Sequence, residues 1–179
     1  MTEMLYRNYP FIDGIHFSLR YTMSEDCADL LKVYSDEKAV PLFNSDNCNG
    51  DDFHYTTMER MKQALDFWRF SHDNRYFVRW TITDKTINEA IGTVELCGEK
   101  ERGIFRLDLR SDYEKKDVIS DLLGLCDVLF DYFDIVVTKA VPQAAERIAA
   151  LEESGFKPYS EKIVGHDGTE YGDYYVSDN

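Results

Sequence analysis

The side chains that do chemistry in proteins are present in this sequence, but few stand at spacings that dictate a reaction. Between Asn44 and Asp52 a run of oxygen donors surrounds Gly50, the outline of a calcium loop. Reading Gly50 as the sixth position puts Thr56 where a bidentate glutamate is required, so no metal site is read there. His16, His54, His72 and His166 share no ligand spacing and read as ordinary polar residues. Cys27, Cys48, Cys97 and Cys126 form no Cys-x-x-Cys pair; they read as reduced thiols, with Cys97 and Cys126 inside apolar patterns. No Ser, His and Asp stand in an order that suggests a triad, and Trp68 and Trp80 read as core. What remains is carboxylate chemistry.

The acids set the charge of the whole chain. Against 34 Asp and Glu there are 20 Lys and Arg, a formal net charge of -14. A body this acidic repels polyanions, so neither nucleic acid nor an anionic membrane surface is expected as a partner. No basic-then-apolar leader opens the chain, and no run approaches the ~18 apolar residues of a membrane span. With reduced cysteines, this predicts a cytoplasmic protein. The 179 residues, 44% of them hydrophobic, are enough for one domain with a true core.

The elements that must position these groups follow from periodicity. Residues 1–14 read as an arm and 15–179 as the domain. A strand is predicted over His16–Tyr21. Thr22 with Glu25 forms a capping box opening a helix through Ala28, Leu30, Leu31 and Tyr34. A loop follows over 41–55, then a second capping box, Thr56 with Glu59, and a helix through Met61, Leu65 and Trp68. Alternation from Tyr76 through Val78, Trp80 and Ile82 begins a meander whose later strands are Ala90–Leu96 and Ile104–Leu109, turned at Asp84–Glu89 and Gly98–Gly103. From Lys116 to Phe133 a helix sets Asp117, Asp121, Asp127, Asp131 and Asp134 within an arc of roughly 140°, opposite an apolar face. A strand Ile135–Ala140, a helix Gln143–Ser154 capped by Gly155, and a hairpin of Tyr159–Val164 with Tyr171–Val176 complete the chain. The order β-α-α-β-β-β-α-β-α-β-β predicts a single-domain α/β fold with a mixed, mostly antiparallel sheet flanked by helices.

That order resembles the GNAT superfamily of acyl-CoA-dependent N-acetyltransferases, and within it the subgroup acetylating ribosomal-protein N-termini and small amines. The stretches "SLRYTMSEDCADLLKVYSDEKAV", "FVRWTITDKTINEAIGTVEL", "ERIAALEESGFKPYS" and "HDGTEYGDYYVS" carry the resemblance, which spans residues 16–176. It implies acetyl-CoA as cofactor, direct attack by an amine, and a cofactor loop between the third meander strand and the following helix, whose glycines and backbone N–H groups hold a pyrophosphate. Here that loop maps to Tyr113-Glu114-Lys115-Lys116-Asp117-Val118-Ile119, which contains no glycine. The cofactor-binding candidates are therefore Leu109, Lys115, Lys116, Asp117 and Val118, with the two lysines supplying charge in place of a backbone cradle. Glu114 and Asp117 suit the helix dipole and compete with phosphate.

The resemblance also implies an Asn near the start of the late helix and a Tyr four residues before its glycine; Ala144 and Leu151 stand there. An amine must lose a proton to attack a thioester, and Glu95, then Asp108, are the candidate bases. Asp46, Asp51 and Asp52 lie where relatives shape the acceptor site and are candidates for attracting a cationic amine. Two functions follow: an N-acetyltransferase, or a GNAT-fold protein without cofactor binding that acts as a binding or regulatory module. The missing glycines predict weak or absent acetyl-CoA binding.

Overall fold

A computed structural model describes residues 6, 9–43, 45–46, 51–165 and 167–178. In chain order the elements are β1 (Ile12–Asp13), β2 (Phe17–Tyr21), a 3-10 turn (Ser24–Asp26), α1 (Cys27–Tyr34), α2 (Val40–Phe43), α3 (Met58–Asp73), β3 (Val78–Asp84), β4 (Glu89–Glu99), β5 (Arg102–Leu109), a second 3-10 turn (Ser111–Tyr113), α4 (Lys116–Phe130), β6 (Ile135–Lys139), α5 (Ala145–Glu153), β7 (Lys157–Tyr159), β8 (Ile163–Val164), β9 (Glu170–Tyr171) and β10 (Tyr174–Asp178). Eight strands form one sheet in the order β1-β2-β3-β4-β5-β6-β10-β7, and β8 pairs with β9 separately. Every neighbouring pair is antiparallel except β5 and β6, which run parallel.

The parallel pair is short. It runs from Gly103 opposite Val136 to Phe105 opposite Thr138, whereas β4 stays with β5 as far as Gly92 opposite Leu109. Beyond Phe105, then, β5 has lost β6 as a neighbour, and its backbone groups on that side need other partners.

Both faces of the sheet are covered. Val78, Trp80 and Ile82 of β3 join a core with Ile119, Leu122 and Leu129 of α4 and Leu151 of α5. The intervening residues face α1: Arg79 is bonded to Tyr34, and Thr81 donates to Asp26 beside it. A second core packs Leu30, Val33 and Tyr34 of α1 against Met61, Leu65 and Trp68 of α3.

Several elements differ from the sequence reading, each for a local reason. The first capping box is not formed: Thr22 donates to the Arg79 carbonyl, and Asp26 accepts from the Met23 N–H at 2.9 Å. The second slips by one residue, with Thr57 Oγ1 accepting from the Arg60 N–H. Residues 41–55 are not loop throughout, since α2 turns within them; Asn44 and residues 47–50, with Cys48 and Gly50 of the calcium-like segment, lie outside the described residues, as does His166. The meander opens at Val78 rather than Tyr76, because the chain leaves α3 through Arg75 at φ 61° with the Tyr76 N–H bonded to Ser71 O.

The Gly98–Gly103 turn is tighter than read, with both glycines paired inside the β4–β5 ladder. Helix α4 ends at Phe130, three residues early. The chain turns there so that the Phe133 ring can lie on Gly103, where a Cβ would stand 2.7 Å from it. The late helix is trimmed to Ala145–Glu153 but ends as expected: Gly155 has φ +87°, its N–H bonds Glu152 O, and the Phe156 N–H bonds Leu151 O. The terminal hairpin divides, β8 with β9 at its tip and β10 with β7 in the main sheet. The arm is tied at Pro10, whose carbonyl accepts the Trp80 indole N–H at 3.1 Å, and Tyr9 packs on Trp80 and Tyr21.

Candidate functional site

Residues 79, 93, 95 and 108 of three adjacent strands point to the α1 side and meet at one guanidinium. Arg79 is buried. Its Nε donates to Glu95 Oε2 at 3.1 Å, its Nη2 donates to the same oxygen, and its Nη1 donates to Tyr34 Oη at 2.7 Å and to Thr93 Oγ1 and Asp108 Oδ2 at 3.0 Å. The Tyr34 hydroxyl donates to Asp108 Oδ2 at 2.7 Å, and the Arg79 cation lies 4.2 Å from the centre of the Trp68 ring. Burial works against the arginine's charge, but Glu95, Tyr34 and Asp108 outweigh it and hold its pKa above the ordinary value. The two candidate bases are thus brought together, as counter-ions of one buried cation.

Next to this network lies a cavity of about 580 Å³. Phe53, Trp68, Glu95, Ile163 and Tyr174 are its buried lining residues; Phe67, Tyr76 and Val164 are exposed at its rim. Of the three loop acids singled out in the sequence, Asp46 and Asp51 line the cavity. Asp52 is not among the lining residues, and its Oδ1 accepts the His54 N–H at 3.0 Å. Asp46 bonds Arg106 at 2.6 Å and the Tyr174 hydroxyl at 2.8 Å, and Asp51 bonds Arg60 and the Tyr55 hydroxyl. Cys97 also lines the cavity, and burial, reinforced by Glu95, pushes its thiol pKa up to about 12. It is a neutral thiol at pH 7.

The cofactor-loop candidates lie at the other end of β5, and they are engaged with the protein itself. Leu109 is buried, its side chain 2.9 Å from where a Cβ on Gly92 would stand. Lys115 is exposed at the N-cap of α4, which has no side-chain cap bond; Asp117 is exposed in the first turn, and Val118 packs against the core. The Lys116 N–H, at the first position of α4, donates to Glu146 of α5 at 3.0 Å, and its Nζ lies 3.3 Å from Glu153. Glu114 takes two hydrogen bonds from Arg147, at 2.7 and 2.8 Å, and Arg147 Nη1 donates to the Leu107 carbonyl at 2.7 Å. The Arg147 and Glu114 side chains are 4% and 8% exposed.

These contacts decide whether acetyl-CoA fits the loop. Its pyrophosphate needs free N–H groups at the start of α4, and there the Lys116 N–H is taken by the Glu146 carboxylate, which also sets a negative charge beside any phosphate. Arg147, bonded to the Leu107 carbonyl, stands beside β5 beyond the end of its pairing with β6. Beside them the cleft between β5 and β6 holds about 10 Å³, room for one water. Ala144 is the N-cap of α5, and Leu151 is buried in the core with no proton to give. The residues do not fit the cofactor in this conformation.

Arg79, Arg106 and Arg147 were not singled out in the sequence. For Arg147 a signal existed: it stands on the helical stripe of Ala144, Ala150 and Leu151, where a buried charge demands a partner. Among the described residues no group of His, Cys, Asp and Glu could hold a metal, and no helix is long and apolar enough to cross a membrane.

No protein-family model and no curated protein matches the chain. Solved structures do. The Salmonella typhimurium acetyltransferase that modifies the N-terminal serine of ribosomal protein L7/L12 matches with a TM-score of 0.70 at 14% identity, over 95% of this chain and 99% of that one. RimJ of Mycobacterium smegmatis in complex with CoA-disulfide gives 0.71 at 11% identity, over 94% and 87%. The microcin C7 self-immunity acetyltransferase MccE, with acetyl-CoA and AMP, gives 0.70 at 12%, over 93% and 94%. At such identities the likeness establishes the fold: one α/β domain of the GNAT type.

Proposed function

We propose that this chain is a binding protein on the GNAT scaffold, with the acyl-CoA cradle exchanged for internal ion pairs and the 580 Å³ cavity as its ligand site. One observation carries the reading: Arg147, bidentate on Glu114 and bonded to Leu107 O, fills the side of β5 that β6 leaves, next to the loop that the resemblance assigns to the cofactor. The absence of glycine in residues 113–119 and the carboxylate of Glu146 on the start of α4 support it from the sequence and from electrostatics. Glu95 and Asp108 are then the counter-ions that keep Arg79 buried, and Glu95 shapes the cavity wall without abstracting a proton.

The competing reading is acetyl transfer from acetyl-CoA to a small-molecule amine or a protein N-terminus. The match along nearly the whole chain to structures holding CoA or acetyl-CoA favours it. In that reading Arg147 swings away from Leu107, Lys115 and Lys116 hold the pyrophosphate, and Glu95 or Asp108 takes the amine proton. Titration calorimetry with acetyl-CoA, at low and moderate salt, separates the two. A binding protein gives no saturable heat. A dissociation constant in the micromolar range or tighter overturns the proposal.

A further inference from the structure

We infer that the 580 Å³ cavity takes a neutral aromatic molecule carrying one hydrogen-bond donor, which it gives to Glu95 Oε1; this deepens the binding-protein reading and rests on it.

The argument begins with charge. Each of the three acids lining the cavity is already bonded to an arginine: Asp46 to Arg106, Asp51 to Arg60, Glu95 to Arg79. A cationic guest has to displace or crowd those guanidinium groups, two of which already lie over the Phe53 ring at 5.0 and 5.3 Å. An anionic guest meets three carboxylates, and of the two arginines in the wall, Arg106 is held by Asp46 and Arg75 is exposed to water. In either case a charge leaves water for a site whose own charges are compensated, and nothing offsets its desolvation. A neutral guest incurs no such penalty.

Shape and chemistry then narrow the class. The volume lies in the range of small-molecule sites, and the walls are mostly rings and branched aliphatics, from Trp68 and Phe77 to Tyr171 and Ile163. A planar aromatic body can stack or meet edges along them. The acids of the wall differ in one respect. Asp46 and Asp51 accept on both oxygens. Both hydrogen bonds from Arg79 go to Glu95 Oε2, and among the described residues Oε1 receives none. Glu95 is nine-tenths buried, so this oxygen is an acceptor held in the cavity wall without water's full access. It selects a ligand with an O–H or N–H at one end.

A four-member naphthalene series tests this by calorimetry and by amide shifts in two-dimensional NMR. The expected order has 2-naphthol binding best, with the largest shifts at Glu95, Cys97 and Tyr174. Methylation to 2-methoxynaphthalene removes the donor and weakens binding about tenfold. The ammonium analogue 2-naphthylmethylamine and the anion 2-naphthoate each bind at least about tenfold more weakly than 2-naphthol. Glu95 variants risk unfolding through Arg79, so Phe67→Ala and Tyr76→Ala, at the exposed rim, serve as the site variants; each lowers naphthol affinity while leaving the urea midpoint unchanged. Tighter binding of the ammonium, equal binding of naphthol and its ether, shifts away from the cavity, or no binding by any member overturns the inference. Acetyl-CoA is titrated separately. Its binding alongside naphthol refutes the binding-protein reading and leaves the ligand class standing, whereas a failed series with no acetyl-CoA heat refutes the ligand class alone.

Discussion

If Arg147 and Glu114 form a closed pair beside the cofactor loop, breaking the pair must cost what breaking a buried pair costs. Glu114→Leu removes the acceptor of two charge-assisted bonds, at 2.7 and 2.8 Å, and leaves the guanidinium with only the Leu107 carbonyl. With the two side chains 4% and 8% exposed, water cannot replace the lost partner. The expected loss is about 3–5 kcal/mol, against the ~0–1 kcal/mol of a surface pair. Arg147→Met should lose a similar amount, because Glu114 is then buried without a cation. The double variant Glu114→Leu with Arg147→Met removes both charges and should return to within about 1 kcal/mol of the parent. Urea unfolding of the four proteins, with circular dichroism to confirm that each folds, closes the cycle. A coupling energy of about 2 kcal/mol or more is expected, changing little with salt because the pair is screened from solvent. Single losses below about 1 kcal/mol would refute the reasoning, since they would mean that water reaches the pair.

Arg79 supports a second expectation. Arg79→Lys keeps the charge but cannot span Glu95, Tyr34, Thr93 and Asp108, so a loss of about 3 kcal/mol or more is expected in urea melts despite the conservative change. The third is a pH dependence at Asp84, which accepts the Tyr113 hydroxyl at 2.8 Å. Partial burial opposes the Asp84 charge, but the Tyr113 and Thr86 bonds outweigh it and hold the carboxyl below its ordinary range. Its stabilisation is therefore full above the unfolded carboxylate value and lost as pH falls through the folded one. Tyr113 is shifted up to about 12 by burial and by Asp84, so its contribution is full below the unfolded phenol value and lost as pH rises through about 12. Tyr113→Phe should cost about 1 kcal/mol at neutral pH and flatten both limbs, measured by urea melts at about pH 3, 7 and 11.

The fold was legible because its signals are local. The 3.6-residue stripe of α4 and the alternation of β3 and β4 come from one face of each element meeting a core, and a glycine after the late helix meets the left-handed turn it favours. The errors arose where a local signal had an equal neighbour or a distant competitor. Thr56 and Thr57 carry the same hydroxyl, and only the backbone's direction chooses the second as cap. Thr22 loses to Asp26 because Arg20 and Thr81 both hold that carboxylate in place, the latter from another strand. Phe133 leaves the helical stripe for Gly103, thirty positions back along the sequence.

The site was legible only in part, and the reason is the same physics reversed. Glu95 and Asp108 could be picked as strand carboxylates, but the cation that claims them, Arg79, sits on a third strand and carries no signal of its own in the alternation. The sheet is covered on both sides, so Arg79 is buried and both acids with it. At the cofactor loop the missing glycines were visible, and what replaced them was not. Glycine is needed there only so that a phosphate can approach the backbone. The start of α4 favours negative charge whether it comes from outside or from within, and Glu146 supplies it from α5. Arg147 then pairs Glu114 and takes the carbonyl that β5 leaves unclaimed where β6 departs. The scaffold's two demands, an anion at the helix and a donor for Leu107, are met by three side chains of the protein itself. With both demands met from within, a chain can keep this fold while dispensing with every glycine of the loop.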